Sequence, residues 1–382
     1  MALGRKGTAI QKTLSMLLFG EQGCRKSSIS AEAIALTKPD GKPMRVLFID
    51  SEFGGLDEVL EMKSEQYDVD LENTYVIYTE SYSEIMGILD MVKNNEDFYY
   101  YDEDGTIGDE LVLDADGNPF RADFVVLDGT TVIYNASSIA LTKFSEKRAK
   151  VKAKAQNKSA EETLVSVQGA GLELKDYNKL NKERSQELIL KLISTGCHHI
   201  VTARETDEKK SVRTDDGKIQ SVPTGRKIPD GFKGMQYNVG TVVRLYTDEF
   251  GDIKGYIENK DRTRTFEPNT IIDVPSLLMW QGVIDKNANR QRVNLNPTFA
   301  NAIEKEFEKE MEENNLDTDV VDGSKELSVE QYQKVIEEVV NGLSPQQKKT
   351  LSPKLKEFGL TPNYKGYTEV DKLKKFLEVV SK

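Results

Sequence analysis

The chain has 382 residues, 38% hydrophobic and 30% charged, with a formal net charge of -12; a single core stops growing at about 250 to 300 residues, so two folding units are expected. The acidity excludes polyanion binding by the whole surface, though not by a local basic groove, and two cysteines, Cys24 and Cys197, exclude a disulfide framework and lie at no metal spacing. No apolar run approaches the ~20 residues of a membrane span and no signal-peptide apolar region precedes the first strand, so a cytoplasmic protein without a membrane partner is expected.

The first apolar run, residues 14–19, reads as a strand and is followed by GEQGCRKSS and then by a helix-like stretch over 29–36. Strand, glycine loop, helix is the layout of a P-loop, G-x-x-x-x-G-K-[ST], in which backbone amides cradle phosphates, a lysine reaches the β- and γ-phosphates and a hydroxyl meets Mg²⁺. Gly20, Glu21, Gln22, Gly23, Cys24, Arg25, Lys26, Ser27 and Ser28 are therefore the candidate nucleotide-binding residues. Arg25 stands where the pattern has its last glycine. Glycine there adopts positive φ freely, and a bulky side chain incurs strain of ~1 to 3 kcal/mol. Lys26 and Ser27 are intact, Gly23 relaxes the middle of the loop, and an arginine beside phosphates adds favourable charge. ATP binding is expected to survive; a brisk ATPase and a nucleotide-gated binder with slow hydrolysis both fit.

Further strand candidates lie at 45–49, 74–78, 124–127, 199–203 and 241–246, the early ones separated by helical patterns. That alternation predicts an α/β fold with a largely parallel sheet covered on both faces. Within it, VLFIDSE ends in an acidic pair at Asp50 and Glu52. Residues 98–123 look like an acidic insertion, with turn signals at Asp104-Gly105 and Asp116-Gly117 that predict a β-hairpin; its DxDG pieces lack the ligand series of a calcium loop. FVVLDG then has the layout of a Walker B strand, placing the Asp128 carboxylate to hold Mg²⁺ beside Ser27. From Lys143 to Lys158 the local balance is +6, which fits either a nucleic-acid backbone contact or a solvated linker. HHIVTARE delivers Thr202 and Arg204 to the same sheet edge as Asp128. Its neighbouring His198 and His199 alternate across a strand, which argues against a zinc site.

After Pro297 the composition shifts. Residues 304–326 hold ten acids against Lys305, Lys309 and Lys325 and read as an acidic linker. Beyond it, Ser328 with Gln331, Ser344 with Pro345 and Gln347, and Thr368 with Asp371 mark three helix starts. Tyr332, Val335, Ile336, Val339 and Val340 give the first a core-facing stripe. The chain thus divides into a core over 1–297, a linker over 298–326 and a small helical module over 327–382.

Taken in order, GEQGCRKSS, IDSE, FVVLDG and HHIVTARE resemble the RecA-like P-loop ATPase core, of the broader AAA/ASCE class. The likeness is nearest to phage-encoded RecA-like ATPases of recombination and single-strand annealing, and spans about residues 13–274. The resemblance implies ATP and Mg²⁺ as ligands, Glu52 as the residue that activates the attacking water, and catalytic support from Lys26, Thr202 and Arg204. It also implies self-assembly into a filament or ring, with Lys260 and Arg262 of NKDRTR reaching a neighbour's γ-phosphate. Two mobile loops facing single-stranded DNA are implied at 143–171 and 205–234. Their candidate contacts are Lys150, Lys152, Lys154, Lys210, Arg213, Arg226 and Lys227, with Phe232 as the one residue of the second loop able to stack on a base. A different class of function is a non-catalytic nucleotide-binding scaffold or loader whose residues 327–382 recruit a single-strand binding or replication protein.

Overall fold

Strand β1 (Ser15–Gly20) is buried at all six positions, as a strand covered on both faces must be. The computed structural model describes residues 13–102, 105–213, 219–286, 329, 332–333, 336, 340, 351, 353–356, 358–367 and 369–381. The chain resolves into two compact units, Met1–Ala302 and Ile303–Lys382.

In chain order the first unit continues with α1 (Lys26–Ala31), β2 (Val46–Asp50), α2 (Leu56–Tyr67), β3 (Thr74–Tyr78) and α3 (Tyr82–Asn94). A hairpin of β4 (Tyr99–Tyr101) and β5 (Ile107–Leu111) precedes β6 (Phe124–Asp128). Then come α4 (Thr130–Ala155), α5 (Ala160–Gln168), α6 (Leu174–Asn178), α7 (Ser185–Thr195), β7 (His198–Arg213) and β8 (Ile219–Pro229). Helix α8 (Met235–Asn238), β9 (Thr241–Thr247), β10 (Ile253–Asp261), β11 (Ile271–Ile272) and α9 (Gln281–Asp285) complete it.

One sheet runs in the order β11-β10-β9-β1-β7-β6-β2-β3, with β8 paired to β7. All neighbours from β9 to β3 are parallel, while β8, β10 and β11 join antiparallel. The fold is α/β with a large, mostly parallel mixed sheet. Side chains that alternate along each strand feed two cores. Leu17, Phe19, Leu47, Ile49, Val125 and Leu127 pack on one face with Ile85, Leu89, Leu188 and Leu192 of α3 and α7. Leu14, Met16, Leu18, Val46, Phe48, Phe124 and Val126 pack on the other with Ile29, Leu56, Leu60 and Trp280. Period-2 alternation in continuous apolar runs is the cause, because each strand is sandwiched.

Three expectations change. Residues 143–155 are the second half of helix α4 and 160–168 are helix α5, where a mobile loop is implied by the family resemblance. Alanine and lysine are good helix formers, and no Gly or Pro interrupts 130–168; the Ser159 and Glu162 capping box restarts the chain as α5. The segment after Arg204 is likewise an arm rather than a loop, because β7 runs on past the sheet and pairs with β8 from Glu205↔Pro229 to Arg213↔Ile219. Phe232 is 1% exposed in the core, packed edge-on against Tyr134, so it has no face to offer a base.

His198 and His199 are both buried: the first accepts from the Leu14 amide at 3.0 Å, the second meets the Ser15 hydroxyl at 2.7 Å. In the second unit α10 (Val370–Ser381) lies in a cluster of Ile336, Leu355, Leu360, Leu373 and Phe376. The acidic segment 304–326 and the helix starts at Ser328, Ser344 and Thr368 lie outside the described residues. Among the described residues no helix is long and apolar enough to cross a membrane.

Candidate active site

Parallel register brings six strands to one edge, five of them ending there and β7 running on past it. Gly20 lies beside Arg204 of β7 and Leu245 of β9, and Asp50 lies between Asp128 of β6 and Tyr78 of β3. Such an edge is where open α/β sheets leave a crevice for ligands.

The loop from β1 to α1 turns at Gly23 with φ 81° and again at Arg25 with φ 62° and ψ 29°. Arg25 therefore occupies the left-handed region that the missing glycine of the P-loop pattern would take without strain. Its carbonyl starts the helix, accepting from Ile29 N at 2.9 Å. Lys26 Nζ folds back over the loop and donates to the carbonyls of Gly20 at 3.1 Å and Glu21 at 2.7 Å. Glu21 pins the loop to β9, accepting from the Thr247 amide at 3.0 Å. Cys24 is buried beneath, and burial pushes its thiol above the usual range, so it remains protonated.

Opposite the loop stand the carboxylates. Asp128 is 4% exposed; its carboxylate accepts from the hydroxyl of Thr202. Burial, the largest effect, raises its carboxyl above the ordinary range, and the Ser27 and Thr202 hydroxyls oppose that rise. Thr202 is oriented for this role because its oxygen accepts from the Gly129 amide at 2.8 Å. Gly129 itself, at φ 94°, is held so near β2 that a Cβ would lie 2.5 Å from Ser51 Oγ and 2.6 Å from Glu52 Cγ. Only glycine permits that approach.

Asp50 is 2% exposed. Its Oδ1 accepts from the Glu52 amide at 2.9 Å, and its Oδ2 is buried with no partner among the described residues. Burial raises this carboxyl first, and Asp128 next to it adds to the shift. Glu52 reaches back across the mouth, where Arg204 Nε and Nη2 both meet its Oε1 at 3.1 Å.

Lys26, Ser27, Ser28 and Arg25 line a cavity of about 380 Å³ whose far wall is Glu52 and Arg204. Past Arg25 and Ser28 a second space of about 820 Å³ opens against Met62, Tyr67, Val274 and Pro275. The first is polar and cationic on the loop side; the second mixes apolar and aromatic surface with the charged side chains of Lys63, Lys254, Asp252 and Asp273. Together they suit an anionic head joined to a flat organic body. Among the described residues no three His, Cys, Asp or Glu side chains form a metal cage. The available hard oxygens of Ser27 and Asp128, with the unpartnered Oδ2 of Asp50 in the adjoining register, match Mg²⁺, which keeps most of its shell as water and phosphate.

Of the sequence-predicted residues, Gly20 to Ser28, Glu52, Asp128, Thr202 and Arg204 converge on this edge. Lys260 and Arg262 do not. Strand β10 runs back along β9, so Asp261 pairs with Thr241 at the end of β9 remote from Leu245 and Gly20. Lys260 Nζ is engaged by the carbonyls of Gln236 and Tyr237 at 3.2 and 2.7 Å, and burial lowers its ammonium's pKa. Arg262 is exposed.

Among the DNA candidates, Lys150, Lys152 and Lys154 are exposed on α4, and Lys210 and Arg213 on β7. Arg226 is paired with Glu258 at 3.0 Å and Lys227 with Asp207 at 2.9 Å. Sequence reasoning missed the threonines behind Asp128. Thr130 Oγ1 donates to Thr202 O at 2.6 Å, Thr131 Oγ1 accepts from Arg204 N at 2.9 Å and donates to Asp230 O at 2.9 Å. The signal was the pair of threonines directly after the Walker B-like strand. No protein-family model matches the chain, and no curated protein matches it.

Proposed function

We propose that this chain binds ATP with Mg²⁺ on the loop Gly20 to Ser28 and hydrolyses it, acting as a RecA-like phage-type ATPase on single-stranded DNA in recombination, replication or repair. One observation carries the reading: Lys26 and Ser27, Glu52, and Arg204, far apart in sequence, wall a single crevice, and the buried Asp128 ends a strand at the same sheet edge, in register with Asp50. In this reading Lys26 leaves the loop carbonyls for the phosphates, and Arg25 adds charge beside it. Ser27 and Asp128 hold the metal shell, and bound Mg²⁺ supplies charge neutralisation at the phosphates. Glu52 orients and deprotonates the attacking water, and Arg204, released from Glu52, stabilises charge on the phosphate. Arg262 of a neighbouring copy completes the charge from outside, since within one chain it lies at the other edge of the sheet. The nucleoside occupies the larger space beside Tyr67 and Pro275. DNA contact falls to Lys150, Lys152 and Lys154 on α4 and to Lys210 and Arg213 on the arm.

The test is phosphate release from ATP with and without single-stranded DNA. Turnover that rises with DNA and vanishes in Lys26→Ala is expected; no turnover in either condition, with Lys26→Ala indistinguishable from the parent, overturns the reading. Charge reversal at Lys150, Lys152 and Lys154 is expected to weaken DNA binding and flatten its salt dependence.

A second reading is favoured by the resting geometry of three residues: Arg25 strained, Lys26 turned onto its own loop, and Glu52 held by Arg204. It is a nucleotide-binding scaffold or loader without turnover, whose residues 327–382 recruit a single-strand binding or replication protein. Saturable ATP binding with no phosphate release selects it.

A further inference from the structure

We infer that the exposed aromatic pair Phe53 and Tyr78 is a seat for Arg264 of a second copy of this chain, joining copies head to tail. The inference rests on the reading that Arg262 serves a neighbour's nucleotide crevice.

Phe53 is 60% exposed and Tyr78 41% exposed, their rings stacked with centroids 6.0 Å apart and planes 27° from parallel. The backbone of Phe53 is left-handed, φ 51°, a conformation disfavoured for a bulky residue. The fold imposes it from below: the buried Asp50 carboxylate accepts from the Glu52 amide at 2.9 Å and so fixes the turn that leads into Phe53. The ring is thus presented to solvent rather than packed. Carboxylates edge the platform. Tyr78 donates its hydroxyl to Asp57, and Glu58 follows in the same first turn of α2. A π-face edged by carboxylates attracts a cation and repels a phosphate backbone, so a nucleic-acid strand is a poor occupant.

A matching cation stands at the opposite edge. After β10, the Asp261 carboxylate accepts from the amides of Thr263 at 3.0 Å, Thr265 at 3.1 Å and Phe266 at 3.0 Å. This turn holds Arg264 at φ 59° and leaves Arg262 and Arg264 exposed. Among the described residues neither guanidinium has a hydrogen-bond or ion-pair partner. Platform and cations lie at opposite ends of one sheet, so no copy satisfies its own. A contact between unlike surfaces propagates as a ring or filament. The spacing agrees: Arg262 and Arg264 are within about 7 Å along the chain, and the crevice residue Glu52 adjoins Phe53. A copy that sets Arg262 at the crevice carries Arg264 to the aromatic seat.

The experiment is sedimentation of the full chain across a concentration series, with and without Mg-ATP, beside binding of a fluorescent ATP analogue. Phe53→Ala and Arg264→Ala are each expected to weaken self-association about tenfold, while Phe53→Tyr and Arg264→Lys retain most of it. The decisive arm mixes Phe53→Ala with Arg264→Ala, which leaves one intact contact per pair: at concentrations where each variant alone stays monomeric, dimers form, and nothing longer. Variants that assemble like the parent, or a parent that stays monomeric throughout, overturn the seat. A parent that assembles through Phe53 and Arg264 but binds no ATP analogue leaves the seat standing and removes the nucleotide reading. Circular dichroism confirms that each variant is folded.

Discussion

Arg204 grips Glu52 by a single carboxylate oxygen, with Nε and Nη2 both 3.1 Å from Oε1. The other oxygen is free of this pair, and Arg204 sits where β7 leaves the sheet to become the arm. Its amide is tied through Thr131 to Asp230 at the root of β8. Anything that draws the guanidinium toward the crevice therefore pulls on both the candidate base and the arm.

From this, Glu52→Gln is expected to lower ATP turnover by about 10² to 10⁴, the usual worth of a general base, while nucleotide affinity stays within a few-fold. Arg204→Ala is expected to lower turnover too and, unlike Glu52→Gln, to remove stimulation by DNA. Single-turnover phosphate release with and without DNA separates the two.

Arg25 tests backbone strain directly. Its left-handed φ of 62° is tolerable for an unbranched side chain and poor for a β-branched one, so Arg25→Val is expected to cost about 1 to 2 kcal/mol of unfolding free energy. Arg25→Gly is expected to be neutral within about 1 kcal/mol, relief of strain being offset by added freedom in the unfolded chain. Urea unfolding followed by fluorescence of Trp280 reads both.

His199 sets a pH dependence. Burial in the core pushes its pKa down from 6.5 to about 4, so the folded state holds it neutral while the unfolded state protonates. Its stabilisation is complete above pH 6.5 and is lost as the pH falls through about 4, an amount of about 3 kcal/mol. His199→Gln is expected to lose that part of the acid sensitivity, seen as a smaller fall in Tm between pH 7 and pH 4.5.

Glu32 clamps the first unit from the other side. It accepts from Lys63 at 2.9 Å, Tyr67 at 3.1 Å, Ser276 at 2.7 Å and the Leu277 amide at 2.8 Å. Removing it by Glu32→Ala strands the buried Lys63 ammonium, and a loss of about 3 to 5 kcal/mol is expected. The double variant Glu32→Ala with Lys63→Met is expected to recover part of it, as urea midpoints will show.

Legibility in the sequence followed local pattern. Phe124–Asp128 and Val46–Asp50 were readable because a strand buried on both faces is a continuous apolar run ending at a polar residue. Helix α4 beyond residue 142 was not, because its buried stripe is Ser145 and Ala153 among lysines, and small or polar residues do not announce a core face. Phe232 was misjudged for a related reason: one aromatic among polar neighbours carries no period, and only the packing of Tyr82 and Tyr134 around it buries it.

By itself the sequence determined the alternation of strand and helix, the glycine loop with Lys26 and Ser27, and the acids at strand ends, since these depend on neighbours within a few residues. Tertiary structure alone decided that Asp50 and Asp128 lie in register with one buried oxygen unpartnered, that Arg204 holds Glu52, and that Arg262 and Arg264 stand at the far edge from Phe53. Those relations depend on strand order and direction, and pairing between strands separated by tens to hundreds of residues is set by how both faces of the sheet are buried.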